Sequence, residues 1–199
     1  MAKNYSNKSK NSTANQKTGS VRIIAGKYRG RKLPVLMADG LRPTTDRVKE
    51  TVFNWLMPYV VDAHCLDCFA GSGSLGFEAL SRGATTAHFY ELNKHASKQI
   101  ADNIKLLNAD NANVSHGSCL QLLTKPEQAY NLVFIDPPFR QNLVTQVADI
   151  LETQNCLADD AIIYVESESE LTNIAIPSDW HLLKEKVAGQ VAYRLYQRQ

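Results

Sequence analysis

Long apolar runs are missing from this chain. The longest, such as "VVDAHCLDCF" and "NLVFID", fall well short of the ~18 residues that a membrane-spanning helix requires. The N-terminus "MAKNYSNKSKNSTANQKTGS" is basic but has no apolar h-region, so it does not read as a secretory signal. Cysteine is sparse, four in 199 residues, without the spacing of a disulfide framework; this suits free thiols in a reducing cytoplasm. Metal-ligand spacing is also absent among the five histidines, His64, His88, His95, His116 and His181. Cys65 and Cys68 do form a C-x-x-C pair, but residues three apart on a strand point to opposite faces, and no second pair completes a tetrahedral site. No metal is expected. The last scarcity is of acid at the front: residues 1–38 hold nine Lys and Arg and not one Asp or Glu, leaving 13 bases against all 20 acids in the remainder.

What is present is enough apolar material, 44% of residues, to bury one core without a staple. A basic front on a mildly acidic body is an arrangement suited to a polyphosphate backbone. Residues 1–19, rich in Asn, Ser and Lys, carry too little apolar surface to offset chain ordering, and are expected to be a disordered basic arm. From residue 20 to about 42 the pattern changes. "VRIIAGKYRGRKLPV" alternates apolar and basic residues around Gly26 and Gly30, as a small twisted hairpin would; Arg22, Lys27, Arg29 and Arg31 then share an exposed surface. "LRPTTDRVKETVFNWLM" predicts a helix capped by Thr44 or Thr45, with Val48, Val52, Trp55 or Leu56, and Tyr59 on one face and an end near Pro58.

Beyond it, strand-like and helix-like segments alternate four times. "AHCLDCF" leads into a glycine turn and a helix from about Leu75, and "TTAHFYE" into a helix over 94–107. "NVSHG" precedes a short helix near Cys119 to Leu123, and "NLVFID" precedes "QNLVTQVADILETQ". "AIIYVES" adds a fifth strand, and "WHLLKEKV" with "VAYRLYQR" an antiparallel terminal pair. This alternation, with continuously apolar strands, predicts a doubly wound α/β domain: a mostly parallel sheet covered on both faces.

In such sheets ligands bind beyond the carboxyl ends of the strands. Three acids fall at those ends: Asp67, Glu91 and Asp136, after the first, second and fourth strands of the alternation. The intervening "LDCFAGSGSLGFEAL" carries Gly71, Gly73 and Gly76 in G-x-G-x-x-G spacing, and Glu91 lies eighteen residues after Gly73, where a carboxylate can accept from ribose hydroxyls. These features serve any adenosine-containing cofactor and do not separate a nicotinamide oxidoreductase from a methyltransferase. Asp67, four residues before the first glycine, suits a cationic ligand better than a pyrophosphate; a sulfonium bearing an ammonium group is one. "VFIDPPFR" narrows the choice. Two prolines directly after a buried strand cannot continue a ladder, so Asp136 and the following carbonyl project from the strand end beside the flat face of Phe139. Paired acceptors next to a stacking surface suit the exocyclic amine of a base taken out of its stack.

With "LDCFAGSG", "FYELN" and "DPPF" in order, the chain resembles the class I S-adenosylmethionine-dependent methyltransferases of the amino-methylating branch. "RIIAGKYRGRKL", "GLRPTTDRVKETVFNWL", "YVESE" and "EKVAGQVAYRLYQR" resemble, more narrowly, the RsmD family of bacterial 16S ribosomal RNA guanine-N2 methyltransferases, over nearly the whole chain from about Val21. The resemblance implies a Rossmann-like, seven-stranded class I sheet with an antiparallel last strand over residues 43–199, preceded by the hairpin. It implies S-adenosylmethionine as cofactor, with Asp67, Phe69, Gly71 and Gly73 at the methionine portion, Glu91 and Leu92 at the ribose side, and Ser118 and Cys119 near the adenine. Many relatives carry an acid or amide where this chain has Ser118. Asp136, Pro137 and Phe139 become the catalytic set, and Arg22, Lys27, Arg29, Arg31, Arg42, Thr45, Arg47 and Arg140 the residues that meet RNA. The expected partner is 16S rRNA, within the small ribosomal subunit or an assembly intermediate, bound by a cytoplasmic monomer. Two other readings stand beside this one. A non-catalytic RNA-binding factor would keep the basic front, and adenine-N6 enzymes acting on DNA share "DPPF".

Overall fold

The computed structural model describes residues 18–36 and 46–199. Residues 1–17 of the expected arm, and Arg42, Thr44 and Thr45, lie outside the described residues. Strand β1 (Thr18–Arg22) pairs antiparallel with β2 (Lys32–Leu36), giving the hairpin expected from the apolar-basic alternation; its first strand already takes in Thr18 and Gly19. In β2, Leu33 and Val35 are buried while Lys32 and Pro34 are exposed, the period-two pattern of a strand with one covered face.

Helix α1 (Asp46–Leu56) follows, then the alternation: β3 (His64–Asp67), α2 (Ser74–Ser81), β4 (Thr86–Glu91), α3 (Lys94–Leu107), β5 (Ala112–His116), α4 (Cys119–Leu122), β6 (Tyr130–Ile135), α5 (Leu143–Thr153), β7 (Leu157–Glu168), β8 (Trp180–Ala188) and β9 (Val191–Arg198). The last seven strands form one sheet in the order β5-β4-β3-β6-β7-β9-β8. β5, β4, β3, β6 and β7 run parallel; β9 is antiparallel to β7 and to β8. This is the mostly parallel sheet with an antiparallel last strand that the sequence predicts. Strand order reverses at β3, whose neighbours β4 and β6 carry the two other acidic strand ends.

The central strands are apolar on both sides because helices cover both faces. On one face Phe134, Tyr164, Tyr193 and Leu195 pack with Val52, Phe53 and Leu56 of α1, Phe77 and Leu80 of α2 and Ile100 of α3. On the other, Val133, Ile135, Ile163 and Val165 pack with Val144, Val147 and Leu151 of α5. Cys65 belongs to the first core and Cys68 to the second, and both are buried free thiols; the C-x-x-C pair straddles the sheet. β5 and β8 are the sheet's edges, and on β8 Lys184, Glu185 and Lys186 stand exposed in succession, charges that discourage further strand pairing.

The hairpin is fixed to this body by one buried carboxylate. Glu78 on α2, fully buried, accepts from the amides of Ile24 (2.8 Å) and Ala25 (3.1 Å) and from Arg82 Nε (2.8 Å). Lys49 of α1, also buried, stands 3.7 Å from it and donates to the Arg22 carbonyl (2.5 Å) and to Ser74 Oγ (3.3 Å). One turn further along α2, Ser81 Oγ donates to the Ala25 carbonyl and accepts from the Tyr28 amide. Gly26 passes so close that an added Cβ would lie 1.7 Å from the Ser81 carbonyl oxygen.

Removing one partner of a buried ion pair leaves the other charge uncompensated and costs about 3–5 kcal/mol. Glu78→Ala is therefore expected to lower unfolding free energy by about that amount in urea denaturation, whereas Glu170→Ala, at an exposed site, should change it by less than about 0.5 kcal/mol.

Candidate active site

Strand pairing brings the three acids together. β3 pairs with β4 on one side and β6 on the other, with Asp67 in register with both Phe89 and Phe134. Glu91 ends β4, and Asp136 follows directly on β6. Neighbouring strands lie about 4.8 Å apart, so Asp67 and Asp136 project from adjacent strand ends close enough that the Asp136 charge opposes ionisation of Asp67.

The glycine turn is built onto these acids. Asp67 accepts from the amides of Gly76 (3.2 Å) and Phe69, so the carboxylate at the end of β3 holds the first turn of α2 over the sheet. Glu91 Oε2 accepts from the Gly71 amide (2.6 Å) and Oε1 from the Asn93 amide (2.7 Å). Each oxygen keeps a further lone pair for a ligand hydroxyl. Gly73 has φ 75°, and an added Cβ there would meet the Phe77 ring at 2.6 Å. The third glycine does a different job: a Cβ at Gly76 would strike the Phe89 ring at 2.3 Å, so its absence lets α2 lie against β4.

Burial drives the electrostatics. Desolvation, with the Asp136 charge adding to it and the Gly76 amide opposing it, raises Asp67 from an ordinary 3.8 to about 7. Desolvation likewise raises Asp136, and raises Glu91 against the two amides that donate to it. A buried carboxylate beside a half-buried one, both resisting ionisation, is a site suited to a cation, whose charge would offset their repulsion. Leu92, one residue past Glu91, is exposed, and His116 Nε2 lies 3.1 Å from its carbonyl. Ser118 precedes α4 and makes no side-chain cap; its carbonyl accepts from the Gln121 and Leu122 amides. Cys119 is buried.

On the other flank Pro137 is buried, Pro138 exposed, and Phe139 open to solvent. The loop turns at Arg140, which holds φ 63° while its amide donates to the Glu168 carboxylate of β7. The two prolines thus leave the strand in an extended path until a left-handed residue, tied to the next strand, redirects it towards α5.

A family model described as "Conserved hypothetical protein 95" matches residues 21–197. Ribosomal RNA small subunit methyltransferase D of Escherichia coli (strain K12) is 54% identical over 182 residues, 92% of each chain. The chain belongs to the RsmD family. The Haemophilus influenzae protein of the same name is 53% identical over 183 residues, 90% of this chain and 94% of that one. The solved structure of yhhF from Escherichia coli matches with a TM-score of 0.85 at 55% identity, covering 91% of this chain and 99% of that chain. At 14% identity the likeness reaches the fold of a Pyrococcus abyssi tRNA (uracil-54, C5)-methyltransferase solved with S-adenosyl-L-homocysteine, with a TM-score of 0.63 over 92% of this chain and 44% of that chain.

In this RsmD family member Arg22, Lys27, Arg29 and Arg31 are all exposed on the hairpin, and Arg47 and Arg140 are exposed beyond it. Arg31 is also anchored, its Nη2 donating to the Leu106 carbonyl near the end of α3 (3.0 Å). Lys49 and Glu78 are the important residues that sequence reasoning passes over. In sequence each resembles a solvated helical charge, and the hairpin, about fifty residues away from Glu78 in sequence, supplies two of the amides that meet it.

The raised Asp67 gives a stability test with a definite sign. A carboxyl whose pKa is higher folded than unfolded stabilises the fold fully below the unfolded value, and that contribution is lost as pH rises through the folded one. Between about pH 4 and 7, Asp67→Asn should therefore gain stability relative to the parent as pH rises, measured as a widening difference in urea midpoints; a pH-independent difference would contradict the raised pKa.

Proposed function

We propose that this protein transfers a methyl group from S-adenosylmethionine to the N2 amine of a guanine in the 16S ribosomal RNA of the small subunit. The observation that carries the reading is the Asp67–Asp136 pair on adjacent strand ends, one beside the glycine turn and the other opening the Pro-Pro-Phe loop, in a chain 54% identical to a ribosomal RNA small subunit methyltransferase.

The residues present fit the cofactor. Asp67 and the turn at Gly71 and Gly73 would hold its methionine portion, with Phe69 beside them. Glu91 would accept from the ribose with the lone pairs its two amide contacts leave free, Leu92 would cover that edge, and backbone groups around Ser118 and Cys119 would meet the adenine. When bound, the cofactor supplies an electrophilic methyl on a sulfonium.

The chain's own contribution is to make a poor nucleophile competent. The guanine N2 lone pair is delocalised into the ring. Accepting hydrogen bonds at the Asp136 carboxylate and the Pro137 carbonyl favours a more pyramidal nitrogen and stabilises positive charge developing on it, while Phe139 stacks on the base and fixes its plane. Asp136, with its pKa raised by burial, is also poised to receive the proton the nitrogen sheds. The hairpin cations Arg22, Lys27, Arg29 and Arg31 would hold phosphates, with Arg42, Thr45, Arg47 and Arg140 as further RNA contacts.

Ribosomal RNA from cells lacking the protein, incubated with radiolabelled S-adenosylmethionine, should acquire label at one guanine N2, mapped by nuclease digestion. Asp136→Ala should lower turnover at least about a hundredfold while S-adenosylhomocysteine still raises the melting temperature; normal turnover would remove Asp136 from the mechanism. Arg29→Glu should weaken RNA binding and lower the slope of log affinity against log salt by about one, and an unaltered slope would return Arg29 to the solvated surface.

A further inference from the structure

A second cavity opens on the sheet face that carries Asp136. It has a volume of about 290 Å³ and lies between α1 and the β8–β9 hairpin, with Trp55, Val52 and Tyr193 forming its apolar wall and Arg47, Thr51 and Lys186 its polar rim. The register places it on the same rung as the acid. Ile135 pairs with Val165, so Asp136 is level with Glu166; Glu166 pairs with Tyr193, and Tyr193 with Lys186. Alternation from Phe134, Tyr164 and Tyr193, all in the first core, puts this rung on the face covered by α1. With strands about 4.8 Å apart, Tyr193 stands two strands, or about 10 Å, from Asp136.

Resting on the RNA methyltransferase reading, we propose that this cavity receives an unpaired nucleobase adjacent to the target guanine, stacked on Trp55, with its phosphate held between Arg47 and Lys186. Charge and chemistry commit it to that occupant. Two cations and no carboxylate line the cavity among the described residues, although acids outnumber bases in the chain beyond residue 38. Trp55 is half-buried and is the aromatic residue that α1 turns to this opening, flanked by the buried Val52, while Phe53 and Leu56 are sealed in the core. Unpaired RNA is recognised by stacking splayed bases on aromatic rings while cations follow the backbone. A base drawn out of its stack to meet Asp136 leaves its neighbour unstacked as well, and this cavity would hold that neighbour in place of its lost partner. The volume lies near the lower end of the ~300–1,000 Å³ range of small-ligand pockets, suited to a single ring system.

The test uses the full-length protein and 16S ribosomal RNA lacking the modification. Lys186→Glu, at an exposed edge-strand position, and Trp55→Ala should each raise the KM for RNA about tenfold while affinity for S-adenosylhomocysteine stays at the parent value. Trp55→Phe, which keeps an aromatic face, should restore most of the loss from Trp55→Ala. Tryptophan fluorescence should be quenched by a short single-stranded oligonucleotide in the parent, and this quenching should be lost in Trp55→Phe. Parent-like KM for RNA in Lys186→Glu and Trp55→Ala overturns the subsite. So does a defect seen only with protein-containing subunits and never with naked RNA, which would assign the cavity to a protein side chain. Absence of methyl transfer by the parent itself would instead refute the proposed function.

Discussion

The buried Glu78 carboxylate is the constraint on which the placement of the site depends. A carboxylate with no solvent must have all its acceptor positions used, and Glu78 draws its donors from three separate elements: the hairpin amides of Ile24 and Ala25, Arg82 beyond the end of its own helix, and Lys49 from α1. Lys49 then reaches the Arg22 carbonyl and Ser74, the first residue of α2. One ion pair thus fixes the basic hairpin, the helix that carries Arg47 and Trp55, and the helix that starts at the glycine turn. An apolar contact would tolerate sliding among these elements; three hydrogen bonds and an ion pair at one carboxylate do not.

Most of the sheet was legible in the sequence because each signal was local. Continuous apolar strands, capped amphipathic helices and glycine-rich turns alternate at spacings that admit little besides a doubly wound sheet, and the opposed cores of Cys65 and Cys68 follow from period-two geometry alone. The candidate site was legible for a related reason. Asp67, Glu91 and Asp136 are all strand-terminal, and parallel pairing leaves strand ends no choice but to gather on one edge. Where local rules stop, so did the reading. Lys49 and Glu78 sit on helices at positions indistinguishable from exposed charges, and two of the amides that meet Glu78 come from a hairpin distant in sequence. Gly76 shows a subtler limit: its spacing fits a phosphate-binding fingerprint, yet its close neighbour is the Phe89 ring, so the same pattern also encodes helix-on-strand packing.

The rung from Asp136 to Lys186 was legible only once strand order was known. β8 and β9 are last in the chain, but the sheet inserts β9 beside β7 and leaves β8 at the edge, which puts Tyr193 and Lys186 on the level of the strand end that carries Asp136. Sequence distance from "DPPF" to "VAYRLYQR" is more than fifty residues; across the ladder it is two strands.

The paired strand-end carboxylates are costly to the fold. Desolvation raises both, and the Asp136 charge raises Asp67 further. A fold selected only for stability would place an amide at one of these positions, since Asn keeps the acceptor for the Gly76 amide without the charge. Retaining two acids makes physical sense if their repulsion is relieved when a cation sits beside them and positive charge grows on a nucleophile between them. On the proposed function, electrostatic strain between these acids would become differential stabilisation of the charged state that methyl transfer passes through. The same low-dielectric surroundings that raise the two acids would also strengthen their attraction for that charge, so the stability these acids cost and the stabilisation they would offer on the proposed function have one cause.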